Sequence, residues 1–332
     1  MKHRRIVVSR HGGPAVLELI EDELPEPGAG EVRVKVQTAG VAWGDILLRS
    51  VRGLGVRLPY TPGYDIVGSV DKLGDGVSGI EPGATVAALP LKGGYAEFIC
   101  LPHEKLVQVP AGVDPADAVC LAMNYVVAYQ MLHRVGRAQA GERLLVHGAA
   151  GGVGTASLQL GKLAELEMYG TTSGAKRHIV QGLGGTPIDY REEDFAERVS
   201  ALGGVDIVFE PFGGTHVGRS YGTLRRGGRL VSLGFHAIRS EGKLKSLSGL
   251  LLLTARKLVP DGRRSFLYSI GRPKYGGAEP YREDLTLLFS LLSQRRIEPI
   301  IAQRMPLVEA PRAHALLEEG STVGKIVLVC SA

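Results

Sequence analysis

Cysteine is scarce in this chain. Cys100, Cys120 and Cys330 are the only three in 332 residues and form no Cys-x-x-Cys pair, which excludes a fold stapled by disulfides and points to a reducing, cytoplasmic setting. Aromatic residues make up 6% and Trp43 is the single tryptophan. The basic groupings at 2–5, 225–226 and 263–264 carry no interleaved aromatics, so the net charge of +5 gives no nucleic-acid surface. Long apolar runs are missing as well. Residues 6–8, behind the basic start, are too few for a signal peptide, and residues 250–253 are far too few to span a bilayer, so no stable membrane insertion is expected. Repeats and low-complexity tracts are absent too. What remains, 44% hydrophobic and 22% charged residues, is ordinary for a globular chain long enough for two domains.

Glycine, by contrast, is abundant and patterned. The apolar residues Leu144, Leu145 and Val146 lead into Gly148, Ala149, Ala150, Gly151, Gly152, Val153 and Gly154. Thr155, Ala156, Leu158, Gln159, Leu160 and Leu163 then continue as a helix with one apolar side. A small residue at Ala149 permits a tight turn, Gly151 lets backbone approach a pyrophosphate, and Gly154 lets the new helix pack on its strand. The helix N-terminus adds unpaired N–H groups and the positive end of its dipole. A glycine-rich turn alone also serves as a plain loop, but strand, turn and helix together read as a dinucleotide site cradled by residues 150–154.

The cofactor follows from the second strand. An NAD site places an acidic residue about 20 positions after the glycines, on the ribose 2′-hydroxyl; the segment 168–177 has none. The hydroxyls of Thr172 and Ser173 and the cations of Lys176 and Arg177 suit a 2′-phosphate, which reads as NADPH. Alternatively, Lys176 and Arg177 are solvated charges opening the next helix. Tyr190 either closes the adenine side or packs. Apolar runs at 205–209 and 229–233 end at glycines, a sixth strand is expected over 265–270, and helices over 176–183, 194–202 and 217–224. Ligands of open parallel sheets lie beyond the carboxyl ends of the strands, so Phe212, Gly213, Gly234 and Phe235 should border the cofactor. Residues 272–280, rich in Gly and Pro, read as a loop near a domain junction.

The first third differs. Short alternating segments at 6–8, 16–20, 31–39, 65–73, 85–89, 94–101 and 105–109, separated by Gly and Pro turns, indicate a β-rich, barrel-like domain, and 115–133 reads as one helix.

These motifs in order, Gly12-Gly13-Pro14, Gly30-Glu31-Val32, Pro62-Gly63-Tyr64-Asp65, Gly94-Tyr95-Ala96-Glu97, the glycine turn, Ala313-His314-Ala315 and Gly324-Lys325-Ile326, resemble the medium-chain dehydrogenase/reductase superfamily. Within it the chain is most similar to the zinc-independent quinone oxidoreductase branch, including relatives of the vesicle amine transport protein. The resemblance covers nearly the whole chain. It implies an α/β protein with a GroES-like β-rich catalytic domain, residues 1–121 and 272–332, a Rossmann doubly wound parallel-sheet domain binding NADPH, residues 122–271, and a cleft between them.

Zinc-dependent members carry a Cys, a His-Glu pair and a second Cys as metal ligands. Here Ala42 and the pair Tyr64-Asp65 stand there, only Cys100 lies near the structural-lobe region, and the nine histidines show no ligand spacing, so no metal is expected. Alcohol oxidation then lacks its Lewis acid, whereas reduction of a conjugated acceptor needs less help. The resemblance turns Tyr64 toward the cleft as a catalytic hydrogen-bond donor, or else it packs on the barrel with its hydroxyl in a local bond. Ala42 and Trp43 would wall the substrate pocket, and Asp45 either caps the following helix or takes part in catalysis. The chain departs from quinone reductases in having Ala42 in place of Asn and no Tyr within 50–55. Asn124 and Val127 match positions near the nicotinamide, although Asn124 could equally bridge backbone. Phe266, Leu267 and Tyr268 should flank that ring, and the equivalent strand pairs across a homodimer interface in relatives. The leading expectation is NADPH-dependent reduction of a quinone or α,β-unsaturated carbonyl, a small-molecule substrate. The alternatives are an NADPH-binding protein with little turnover, or an enoyl-thioester reductase with Arg52, Arg57, Arg263 and Arg264 at its mouth.

Overall fold

A computed structural model describes residues 1–234, 236–240, 242–255 and 261–330. The chain divides into two compact units, Met1–Val126 with Gly271–Ala332, and Val127–Ile270.

The first unit opens with an antiparallel ribbon of β1 (Lys2–Val8) and β2 (Leu17–Glu23), in register from Lys2 opposite Glu23 to Val8 opposite Leu17. Its central strand is β3 (Glu31–Gly40), in which Val32, Val34 and Val36 are fully buried by the two-residue alternation of a pleated strand. β3 pairs antiparallel with β4 (Ile66–Leu73) and β6 (Phe98–Pro102), while β5 (Thr85–Ala88) joins β4 to β7 (Val107–Gln108). Two register shifts between β3 and β4 bend the sheet as bulges do. Ile6, Val8, Ile66, Val86 and Tyr95 fill the core it encloses. The expected strand over 94–101 is shorter, because residues 94–97 run as loop.

The expected helix over 115–133 is interrupted. Pro115–Cys120 and Val126–Tyr129 are α-helical, but Leu121–Tyr125 and Gln130–Val135 are π turns. In the first, Val126 N–H reaches back five residues to the Leu121 carbonyl, and the Tyr281 hydroxyl donates to the Ala122 carbonyl at 2.9 Å. A π turn inserts one residue without changing the apolar periodicity enough to be read from sequence.

The second unit is a six-stranded sheet of β8 (Arg143–Val146), β9 (Glu167–Thr172), β10 (Thr186–Asp189), β11 (Val205–Glu210), β12 (Leu224–Ser232) and β13 (Arg264–Leu267). The order is β10-β9-β8-β11-β12-β13 and every pairing is parallel. This is the Rossmann order, with its switch point between β8 and β11. Leu144, Leu145, Ile207, Val208, Leu230 and Val231 are all fully buried, as strands covered on both faces require. The helix expected over 217–224 ends at Gly222 and β12 begins at Leu224; the sixth strand is likewise shorter than 265–270.

The chain returns to the first unit through residues 272–280. These are not a loop: Pro273–Gly276 and Ala278–Ser293 are helices, Pro273 serving as a first-turn residue that lacks only an N–H the helix leaves unpaired anyway. β14 (Ile301–Pro306) runs parallel to β15 (Lys325–Val329), which pairs antiparallel with β3, so one sheet joins the N-terminal and C-terminal segments of this unit. Among the described residues no helix is long and apolar enough to cross a membrane.

Both ends are also joined by charge. Arg49, fully buried at the end of helix Trp43–Ser50, pairs with Glu318 of helix Ala310–Glu319 and donates to the Gly12 carbonyl at 2.8 Å. Removing one partner of such a pair strands the other charge. Glu318→Ala is therefore expected to lower unfolding free energy by roughly 3–5 kcal/mol, and urea melts showing no loss would contradict it.

Candidate functional site

In the second unit β8 stops at Val146 and the chain turns through Gly148, whose φ of +66° favours glycine. Gly151 N–H bonds the Gly148 carbonyl at 2.9 Å and Ala149 N–H the Thr171 carbonyl at 3.0 Å. Helix Gly152–Leu163 then begins with Gly151 as its N-cap and no side-chain cap, the arrangement that leaves first-turn N–H groups for an anion. A Cβ on Gly154 would lie 2.4 Å from the Gly148 carbonyl oxygen and 2.6 Å from that of Ala149, so helix and turn approach as only glycine permits. Ala150 is buried, and Gly152 and Val153 are half-buried in the first turn.

Two unforeseen residues hold this turn. The Thr171 hydroxyl accepts Gly148 N–H at 3.2 Å and meets His147 Nδ1 at 3.1 Å; His147 Nε2 meets Ser220 Oγ at 3.1 Å. Burial, then His216 and Arg219, hold the pKa of His147 well below its ordinary value, so the ring stays neutral. A histidine one residue before the glycines and a threonine within a strand carry no motif of their own.

At the ends of β9 and β10, Thr172 is buried and Ser173 half-buried. Burial first, then the charge of Arg191, lower the pKa of Lys176. Arg177 lies 3.5 Å from Glu192. Arg191, which no sequence signal singled out, stands 5.9 Å from the Tyr190 ring centroid, and Tyr190 is 56% exposed. Asp189, closing β10, is buried, and its Oδ1 accepts Arg191 N–H at 3.0 Å.

Beyond β11 the buried Glu210 carboxylate accepts the N–H groups of Phe212 at 3.0 Å and Gly213 at 2.9 Å, and meets His216 Nδ1 at 3.0 Å. The Phe212 ring meets the His216 ring edge-on, centroids 4.8 Å apart. A Cβ on Gly234 would lie 2.2 Å from the Pro211 carbonyl oxygen; Phe235 lies outside the described residues. Phe266 and Leu267 are half-buried on β13. Tyr268 is buried and its hydroxyl donates to Gln130 Oε1 at 2.8 Å, and Val127 is buried.

The first unit assembles a different set. Ala42, buried, precedes helix Trp43–Ser50, and Trp43 is half-buried. Asp45, third in that helix, reaches back to accept Ala42 N–H at 3.1 Å, and also accepts Gly63 N–H at 2.8 Å and the Tyr95 hydroxyl at 3.2 Å. The reach back to the N-cap N–H is one half of a capping box. Burial, together with Asp65, pushes the Asp45 carboxyl up to about 7 against the pull of its two backbone donors. The Tyr95 hydroxyl also lies 3.1 Å from Nε2 of buried His314, whose pKa burial lowers to about 3.

Tyr64 is half-buried with the hydroxyl end of its ring against Gly44: a Cβ there would lie 2.6 to 2.8 Å from Cζ, Oη and Cε2 of the phenol. Burial and the nearby Asp45 raise its pKa, so the hydroxyl keeps its proton. Next in the chain, Asp65 pairs with Lys325 at 2.9 Å, and Lys325 Nζ lies 3.4 Å from Asn124 Oδ1 in the first π turn. A lone lysine opening the apolar strand Lys325–Val329 is the sequence signal for this pair. Among the described residues no three His, Cys, Asp or Glu side chains gather as a metal cage.

Known proteins share this architecture. Residues 28–111 match the alcohol dehydrogenase GroES-like domain and residues 183–328 a zinc-binding dehydrogenase model. The chain is 31% identical over 318 residues to the synaptic vesicle membrane protein VAT-1 homolog of Rattus norvegicus, covering 92% of this chain and 78% of that one. It is 28% identical over 341 residues to the quinone oxidoreductase of the same species, covering 98% and 97%. The crystal structure of Escherichia coli quinone oxidoreductase complexed with NADPH superposes with a TM-score of 0.88 at 28% identity, covering 98% of this chain and all of the other.

The raised carboxyl of Asp45 makes stability pH-dependent. Between its unfolded value of about 4 and its folded value of about 7 the folded chain holds a proton that the unfolded chain has lost. The contribution is thus complete below about pH 4 and lost as pH rises through about 7, at about 1.4 kcal/mol per pH unit within that window. His314 works oppositely, its contribution being present above about 6.5 and lost as pH falls through about 3. Asp45→Asn removes only the first effect, so its stability relative to the parent should rise from pH 5 to pH 7 in parallel denaturant titrations; a constant difference would show that Asp45 titrates normally.

Proposed function

Because the chain belongs to the medium-chain dehydrogenase/reductase superfamily, in its quinone oxidoreductase branch, we propose that it transfers hydride from NADPH, without zinc, to a quinone or an α,β-unsaturated carbonyl. One observation carries the choice of cofactor: β9 ends on Thr172 rather than on a carboxylate, and Ser173, Lys176 and Arg177 follow it, hydroxyls and cations that suit a 2′-phosphate. The uncapped helix start at Gly152 and the close turn below it fit a pyrophosphate. The neighbour solved with NADPH supports the same choice.

Bound NADPH supplies the hydride. The chain supplies orientation and electrostatics. Residues 150–154 hold the phosphates; Thr172, Ser173, Lys176 and Arg177 take the 2′-phosphate end and Tyr190 the adenine side. Asn124 and Val127 lie near the nicotinamide, Phe266, Leu267 and Tyr268 flank it, and Phe212, Gly213 and Gly234 border the cofactor. Tyr64 keeps its phenolic proton and donates a hydrogen bond to the acceptor's carbonyl oxygen as charge develops there, beside an apolar wall of Ala42 and Trp43. The catalytic part spans 1–121 with 272–332 and the NADPH part 122–271, a division supported by two compact units that separate after Val126 and Ile270. On this reading the protein acts on a small molecule as a cytoplasmic homodimer; its three free cysteines support a reducing compartment.

Following NADPH absorbance with quinones, enones and enoyl thioesters, and NADH in parallel, tests the reading. Turnover of none despite tight NADPH binding would instead mark a binding protein, and a thioester-only response an enoyl-thioester reductase. Lys176→Glu should weaken NADPH roughly ten- to hundredfold and leave NADH unchanged; equal effects on both coenzymes would remove the 2′-phosphate assignment. Tyr64→Phe should lower kcat roughly 100-fold at unchanged NADPH affinity, and full activity would retire the phenol as donor.

A further inference from the structure

A lysine and an aspartate are sealed inside the first unit. Lys325 begins β15 and Asp65 directly precedes β4; their side chains are 1% and 0% exposed and pair at 2.9 Å. Taking two charges out of water is costly, and apolar residues of similar volume commonly fill such a place as well or better. The fold nevertheless makes room for this pair. A Cβ on Gly40 would lie 2.2 Å from Lys325 Cε, 2.4 Å from Nζ and 2.3 Å from Asp65 Oδ2, so the neighbouring strand is bare where the two side chains meet.

Packing alone therefore does not account for the charges, and the ammonium has a second contact. Lys325 Nζ lies 3.4 Å from Asn124 Oδ1. Asn124 is 7% exposed and sits in the π turn Leu121–Tyr125, a backbone form that recurs at functional sites and that Tyr281 braces through the Ala122 carbonyl. An ammonium has three donors and no acceptor, whereas an amide accepts at one end and donates at the other. The contact accordingly settles which way the amide faces: its oxygen meets Lys325 and its NH2 is turned away.

We propose that Lys325, anchored by Asp65, is a positioning residue that locks the Asn124 amide so that its NH2 is a fixed donor for a carbonyl oxygen, that of the nicotinamide carboxamide or that of the acceptor. This role rests on the reductase reading, in which Asn124 lies beside the nicotinamide. Asp65 cancels the ammonium's charge and leaves its directionality, so what reaches the site is an oriented dipole.

The test combines Asp65→Leu/Lys325→Met, which replaces the pair by apolar volume, with Asn124→Leu and with the triple variant. NADPH affinity is measured by calorimetry without acceptor, stability by thermal unfolding, and kcat and KM with benzoquinone. The double variant should keep its Tm within about 2 °C of the parent or exceed it. It should lose roughly fivefold or more in NADPH affinity if the carboxamide is the acceptor oxygen, or in kcat at unchanged NADPH affinity if the substrate is. The triple variant should lose no more than Asn124→Leu, because both changes act through one amide. A folded double variant with parental affinity and kcat, or losses that multiply in the triple variant, would overturn the proposal. Should the double variant not fold, Asn124→Asp decides: it keeps an oxygen for Lys325 but has no NH2, so it should match Asn124→Leu, and parental behaviour would overturn the proposal. A parent that binds NADPH and reduces benzoquinone while its variants behave alike defeats only this role; a parent that does neither defeats the reductase reading and the role with it.

Discussion

One buried carboxylate ties the first unit together. Asp45 accepts from Ala42, from Gly63 and from Tyr95, and Tyr95 extends the connection to His314 in the last long helix. Three stretches far apart in sequence thus converge on two oxygen atoms, and Tyr95 carries the connection to a fourth. The start of helix Trp43–Ser50 is fixed by the same group that fixes the loop before β4, and Ala42, Trp43 and Tyr64 take their places from it. A fully buried acid with a raised pKa is an expensive fastener. Its two backbone donors offset part of that cost, because an apolar substitute would leave those N–H groups unpaired.

The two units handle polarity in opposite ways. The first pairs its interior charges one to one, Arg49 with Glu318 and Lys325 with Asp65. The second crowds polar side chains behind its glycine turn, Thr171, His147, Ser220, His216 and Glu210 forming a chain of short contacts. The side chains serve the backbone there: Thr171 holds Gly148 N–H, and Glu210 holds the N–H groups of Phe212 and Gly213. Such a turn is rigid before any ligand arrives, which limits the entropy lost on binding.

Much of this organisation was legible in the sequence. Apolar runs ending at glycine marked β8, β11 and β12, because a parallel strand buried on both faces must be apolar and must turn sharply where a ligand sits. The spacing of Ala149, Gly151 and Gly154 required a helix packed tightly on its turn, and the Gly154 contacts have that form. The rest was hidden for identifiable reasons. A π turn alters hydrogen bonding by one residue while leaving composition unchanged, so Asn124 showed no special backbone. Thr171 and His147 act through partners distant in sequence, and the spacing of a motif records only near neighbours. Residues 272–280 misled because Pro and Gly stop helices in their interiors yet are welcome at their ends.

The seat that Gly44 provides for Tyr64 couples two positions twenty residues apart. A side chain at 44, even a methyl, would come within 2.6 to 2.8 Å of the phenol, so a larger residue there asks either the ring to withdraw or the helix start on which Asp45 depends to shift. A change at position 44 is therefore felt first at the hydroxyl of residue 64.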